Sequence, residues 1–194
     1  MVNMTPQDYA SLFDQVARQS PELVALDAEI AGWTPPVEGD VHPKQGQADA
    51  LRAAIAQCQA AMQASGLTVD VPALRLAEAK AAMWTRIKAE RDRRKLEGGY
   101  QAAGKWFHTD TFSRTQQMGL VMAGAGIPAN TPWKTMDGSF VTMTQTLAGQ
   151  IFTAAMLQDK ATFTAAETHK AAMEASADPL AYDFSGGWPA TFGG

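Results

Sequence analysis

Cysteine is almost absent: Cys58 is the only one among 194 residues. A lone thiol excludes an intramolecular disulfide and a multi-cysteine metal cage, which fits maturation in a reducing compartment. Cys58 falls on a helical apolar stripe, the position of a small core residue rather than of a nucleophile. His42, His108 and His169 are scattered, with no carboxylate or cysteine at ligand spacing, so no zinc site is expected. Long apolar runs are missing too. None approaches the ~20 residues that a membrane helix needs, and the first residues lack the charged and apolar blocks of a signal peptide. The expectation is a soluble protein, not exported by the general route and with no membrane partner. Nor is there an excess of positive charge: 16 Lys and Arg stand against 20 Asp and Glu, a net charge of −4. That balance does not suit a phosphate backbone, so nucleic acid is not an expected partner.

Catalytic and cofactor signatures are also lacking. Gly-Ala-Gly at 124–126 has no following Gly-Lys-Ser/Thr and reads as a helix stop, not a phosphate loop. There is no Gly-x-Ser-x-Gly elbow. The string from His108 through Asp110 to Ser113 holds the residue types of a hydrolase triad. A triad, however, is assembled from separate elements so that the base lies between nucleophile and orienter. Helix capping by Asp110, with Ser113 in the first turn, accounts for the string. No catalytic residue, metal ligand or cofactor is assigned.

What is present is an architecture centred on residues 98–142. Asp137-Gly138 lies between two short runs rich in β-branched and aromatic residues, the signal of a hairpin over residues 132–142. Gly98, Gly99 and Gly104 bracket aromatic-containing runs over 98–108, which suggests a second hairpin. Between them an amphipathic helix is expected at about 111–125, with Phe112, Met118, Gly119 and Met122 toward the sheet.

Around this centre the chain reads as helix. Thr5 caps a first helix, Pro6 opens it, and Ser20-Pro21 restarts it through Ala31. Three prolines and two glycines between Trp33 and Gly46 forbid regular structure there. Ala48, Leu51, Ile55, Cys58 and Met62 recur at steps of three and four, the spacing of a seam between helices. Gly66 closes that helix, and another from Pro72 to about Leu96 turns Leu76, Ala77, Met83, Trp84 and Ile87 inward. Its end carries five basic residues within 88–95, interleaved with Glu90, Asp92 and Glu97. This is the pattern of a solvated helix end. Thr144 opens the longest helix, to about Ala175. Leu147, Ile151, Ala154, Ala161, Ala165 and Ala172 form its seam, widened by Phe152, Met156, Phe163 and Met173. The expected fold is α+β, mainly α. It comprises N-terminal helices at 1–32, a Pro/Gly-rich linker or arm at 33–46, a helical hairpin at 47–97, and a compact aromatic-rich α+β module at 98–194.

Aromatic residues are few before Trp84, where only Tyr9, Phe13 and Trp33 occur, and thirteen lie from there onward. The compact core should therefore be C-terminal. Tyr182, Phe184, Trp188 and Phe192 crowd a tail that is consequently expected to be pinned, to the body or to a neighbour. Trp106, Trp133 and Trp188 admit three readings: a mini-core, a sugar or base platform, or anchors on a partner chain. The residues picked for partner contact are Trp33, Pro35, Pro36, Trp84, Trp133, Phe184 and Trp188. Gly98, Gly99, Asp137 and Gly138 are picked as structural turns.

An ordered set of motifs runs through the C-terminal half. It begins with Lys88, Arg91 and Arg94, then Gly98-Gly99 and Gly104, then Phe107, Asp110 and Ser113. Trp133, Asp137-Gly138 and Thr144 follow, and Gly187-Trp188-Pro189 ends it. Over about residues 81–189 this pattern resembles a family of uncharacterised C-terminal domains in bacteriophage and prophage tail-fibre and tail-fibre-assembly proteins. The loop 98–104 and the stretch after Pro189 depart from the pattern, and residues 1 to about 70 lie outside it. The resemblance implies a non-enzymatic structural protein of the virion tail, at the tail tip, baseplate or fibre. It would be assembled in the host cytoplasm and act through protein–protein contacts with fibre or baseplate subunits, as a homo- or hetero-oligomer. The alternatives are a tail-fibre assembly chaperone not retained in the virion, a carbohydrate-binding module that contacts host surface glycans, and, most remote, a hydrolase built on His108 and Ser113.

Overall fold

A computed structural model describes residues 4–34 and 36–193. The fold is α+β, mainly α, as expected. The chain divides into two compact units, Met1–Arg75 and Leu76–Gly194.

The first unit pairs helices α1 (Pro6–Ala31) and α2 (Gln45–Ser65). Thr5 and Asp8 form a reciprocal capping box at the start of α1, which satisfies two backbone donors. The restart expected at Ser20-Pro21 does not occur, because α1 runs straight through Pro21. Proline at 21 removes the N–H that would bond Ala17. The neighbouring Ser20 hydroxyl donates to the Val16 carbonyl at 2.7 Å, so the interruption stays within one turn. Ala10 of α1 and Ala48, Ile55 and Cys58 of α2 are buried, the last three being seam positions. In the arm between the helices, Asp40 accepts the Val37 N–H and the rings of Trp33 and His42 meet edge-on at 5.1 Å. Gly46, expected in the arm, lies inside α2, which Gly66 closes in a left-handed conformation.

Helix α3 (Val71–Glu97) opens one residue before Pro72. Met83 and Ile87 are buried as expected, but Leu76 and Ala77 are exposed. Beyond α3 the second unit carries two antiparallel hairpins, β1 (Tyr100–Ala102) with β2 (Lys105–Phe107) and β3 (Pro132–Lys134) with β4 (Phe140–Thr142). Both fall where the glycines and Asp137-Gly138 place them. The first turns through Ala103 and Gly104, both at positive φ, the backbone twist a two-residue hairpin loop favours.

Helix α4 (Thr111–Ala123) lies between the hairpins with its faces opposite to those expected. Phe112 is 71% and Met122 82% exposed, and Met118 and Gly119 also face out. Gln117 is the buried residue, flanked by half-buried Arg114 and Leu120. The reversal has a physical reason: the polar groups of Gln117 and Arg114 find partners inside, described below, so they are buried without loss of hydrogen bonds. Helix α5 (Gln145–Ala175) spans the unit, with Ala148, Ile151, Thr162, Ala165, Ala166, His169 and Met173 buried. Ala161, Ala172, Phe152, Met156 and Phe163, all expected on its packed side, are exposed. Two clusters line α5. Toward its start, Tyr100, Ala102, Phe107, Met143, Ala148 and Ile151 pack together with Trp133. Toward its end, Met83, Ile87, Ala166 and Met173 pack with Trp84, Tyr182, Phe184 and Trp188.

Candidate functional site

The second cluster is closed by the tail. Asp178 caps a short turn at 179–181 by accepting from the N–H groups of Leu180 and Ala181. The chain then lays Tyr182, Phe184 and Trp188 over Met83, Ile87, Ala166 and Met173. The expectation of a pinned tail is met within this chain's own second unit.

One imidazole holds all three rings. His169 is 8% exposed. Its Nδ1 lies 2.9 Å from the Tyr182 hydroxyl, and its ring meets Tyr182 and Phe184 edge-on and Trp188 at 4.9 Å with a 36° tilt. Trp188 Nε1 donates to the Phe184 carbonyl at 2.7 Å. Farther on, Gln158 donates to the Ala190 carbonyl and the Phe192 N–H to the Gly98 carbonyl. Gly98 is required at that point, because a Cβ would collide with the Arg94 carbonyl and with Thr191.

The basic end of α3 differs from a purely solvated helix face. Arg91 and Arg94 side chains are each only 17% exposed. The Arg94 guanidinium lies 5.2 Å from the Trp188 ring centre, Arg86 covers Phe184, Arg91 and Lys95 both cover Phe163, and Lys88 and Lys170 cover Trp84. A cation over an aromatic face contributes roughly 0.5–1 kcal/mol where exposed and more where desolvated. Glu90 bonds Arg93 and Arg94, and these guanidiniums hold its carboxyl below the usual range. The charge run is therefore matched internally by rings and carboxylates.

A polar network fixes α4 beside the first cluster, where Leu120 packs. Arg114 grips Asp159 of α5 through two bonds of 2.8 and 2.9 Å and donates to the Thr109 and Lys95 carbonyls. The Tyr100 hydroxyl bonds Gln117, whose amide donates to the His108 carbonyl. Burial pushes the Tyr100 hydroxyl up to about 12, so it remains a neutral donor.

Of the residues picked for partner contact, Trp84, Phe184 and Trp188 come together in the second cluster, while Trp133 belongs to the first. Trp33 is half-buried against His42 and Pro36 is exposed in the first unit; Pro35 lies outside the described residues. Gly98 and Gly99 sit where α3 passes into β1, and Gly138 takes φ 82° in the second turn. Asp137 bonds Lys105 of the other hairpin at 2.8 Å, and this lysine, with Thr135 and Ser139, holds its carboxyl far below the usual range. Asp110 caps α4 and accepts from the Ser113 hydroxyl, while His108 meets neither side chain. Sequence reasoning missed His169, whose spacing to Thr162, Ala166 and Met173 repeats steps of four and three.

A family model described as a domain of unknown function, DUF4376, matches residues 78–186, more than half of the chain. The chain belongs to that family. No curated protein and no solved structure matches it. The DUF4376 match takes in most of α3, both hairpins, α4 and α5, and reaches into the tail as far as Gly186. His169 and the two tail aromatics Tyr182 and Phe184 therefore lie inside the DUF4376 domain, and Trp188 two residues beyond the matched span.

Proposed function

We propose that this protein is a non-enzymatic component of a bacteriophage tail, at the tip, baseplate or fibre, and that it acts by contacting other tail subunits. The tail assignment rests on the resemblance carried by residues 81–189. The observation that supports a contact role is the run of large apolar side chains left in solvent on the second unit. Phe112, Met118, Val121 and Met122 lie on α4, and Phe152, Met156 and Leu157 on α5. None of these side chains belongs to either core cluster, and exposed apolar side chains are the material from which surfaces that meet other polypeptides are built. The groups with chemical potential are committed elsewhere: Ser113 to the cap of α4 and His169 to the tail rings.

Mass spectrometry of purified virions tests the reading. Retention at a fixed copy number relative to the tail proteins is the expected result. Absence from the particle together with co-purification on an immature fibre would make it an assembly chaperone, and absence from both would refute a tail role. A glycan-binding role draws less support. The Trp188 ring is flanked by His169 and Arg94, Trp84 is covered by Lys88 and Lys170, and Trp133 packs in the first cluster.

A further inference from the structure

The chain holds one Asp-Gly step, Asp137-Gly138, and no Asn-Gly step. An aspartate before glycine is prone to spontaneous isomerisation, because no side chain hinders the glycine nitrogen. In that reaction the Gly138 nitrogen attacks the Asp137 carboxyl carbon. A C–N bond forms, the carboxyl hydroxyl and the amide hydrogen leave as water, and a five-membered succinimide results. Water then opens the ring at either carbonyl. Opening at the former main-chain carbonyl leaves isoaspartate, with one extra methylene in the backbone. Two conditions must be met: the carboxyl must carry its proton, and its carbon must swing over the following peptide nitrogen. Both are opposed here. Thr135 Oγ1, Ser139 N and Ser139 Oγ donate to one carboxylate oxygen at 2.6, 3.0 and 2.7 Å, and Lys105 Nζ donates to the other at 2.8 Å. Lys105 first, and then these hydroxyls, keep the group ionised. The Gly138 N–H is engaged as well, since it donates to the Thr135 carbonyl at 3.0 Å. Burial plays no part: the Asp137 side chain is 43% exposed, so the protection lies in bonds and not in exclusion of water.

We propose that Asp137-Gly138 is a latent isoaspartate site, kept shut by the clamp between the two hairpins, so that a folded second unit is spared and an unfolded one is modified. The clamp is a tertiary device, because Lys105 reaches it from β2 on the other hairpin. The turn alone supplies only the bonds from Thr135 and Ser139. Modification is one-way. The added methylene lengthens the turn, whose loop length sets the register of β3 against β4, and it carries the carboxylate away from Lys105, Thr135 and Ser139. The carboxylate it creates is the group that isoaspartyl methyltransferases esterify with S-adenosylmethionine, so the modified chain becomes a substrate for that class of enzyme. The inference stands apart from the tail reading, because it concerns the second unit whatever that unit contacts.

The test is to age the full chain at neutral pH for several weeks, folded in buffer and unfolded in guanidinium chloride. Isoaspartate is counted by enzymatic methylation with a labelled methyl donor, and its position is fixed by peptide mapping. Formation at Asp137 should be at least about tenfold slower in the folded chain, since each unit by which the acidity is strengthened cuts the reactive protonated fraction tenfold. In the folded state Lys105→Met should accelerate it by about tenfold, as the largest single support of the charge is lost. Ser139→Ala deletes one hydroxyl and keeps the ion pair, so it should accelerate formation by a smaller factor. Circular dichroism checks that each variant is folded while it ages, and if Lys105→Met is not, Ser139→Ala decides. Equal rates in the folded and unfolded chain, or folded variants that age as slowly as the unaltered protein, would overturn the proposal.

Discussion

Replacing Arg114 with methionine should destabilise the second unit by about 2–3 kcal/mol. The side chain keeps most of its length and loses its charge and all its donors. Arg114 and Asp159 are each 28% exposed, between an exposed pair, worth about 0–1 kcal/mol, and a buried one, whose disruption costs about 3–5. The substitution leaves Asp159 partly desolvated with no cation and withdraws a donor from the carbonyl of Thr109, a residue only 2% exposed. It also removes the guanidinium 5.7 Å from the Tyr100 ring centre. For a unit of this size the loss corresponds to a fall in Tm of roughly 8 °C. Urea titration followed by tryptophan emission reads chiefly the second unit, because four of the five tryptophans, Trp84, Trp106, Trp133 and Trp188, belong to it and only Trp33 to the first. Asp159→Asn alone should cost less, and the double variant should fall short of the summed losses by about 1 kcal/mol. On the outer face of α4, Phe112→Ser and Met122→Ser should each change stability by less than about 0.5 kcal/mol. A loss below about 0.5 kcal/mol for Arg114→Met, or a larger loss for either outer-face change, would refute the idea that α4 is held by its polar side.

Gly99→Ala should cost about 2 kcal/mol, since Gly99 sits at φ 72° and a Cβ would strike Met136 and crowd Trp106; Gly104→Asn, also at positive φ but in open space, should stay within about 0.5 kcal/mol. Paired thermal melts separate the two. Pro21→Ala restores an N–H toward the Ala17 carbonyl and should stabilise the first unit by about 1–2 kcal/mol, read as a higher thermal midpoint by far-UV circular dichroism. Glu90 has its acidity strengthened in the folded state, chiefly by Arg93 and then Arg94, so its contribution is complete above its ordinary value of 4.5 and fades as pH falls toward the lower folded value. Glu90→Gln should therefore be most costly at neutral pH and progressively less costly as the pH falls below 4.5, measured by urea midpoints.

The elements that could be read in the sequence are those decided locally. Thr5, Asp110 and Thr144 accept the N–H bonds that start their helices, and Asp137-Gly138 makes its turn. What could not be read depends on partners distant in the chain. Burying apolar residues is a one-way rule, and on α4 it fails because Gln117 and Arg114 meet Tyr100, Thr109 and Asp159. The interleaved charges on α3 look solvated in one dimension. Only the fold brings Phe163, Phe184 and Trp188 up to Arg86, Arg91 and Arg94 and turns a surface run into part of the packing. On α5 the three-four spacing holds at Leu147, Ile151, Ala154 and Ala165, but it puts Ala161 and Ala172 inside where the structure exposes them, and it passes over the buried Thr162, Ala166 and His169. For the candidate site, aromatic crowding pointed to Phe184 and Trp188, and the imidazole between them went unnoticed because a single histidine carries no motif.

The cluster around Met83 and Ile87 is roofed by side chains about a hundred positions downstream. As the polypeptide leaves the ribosome, the first hairpin can form almost at once, but the roof cannot settle until Tyr182, Phe184 and Trp188 have emerged. For most of the synthesis of this unit Met83, Ile87 and, later, Met173 face water or whatever binds nascent chains, and closure waits on a long-range docking step of the kind that slows folding.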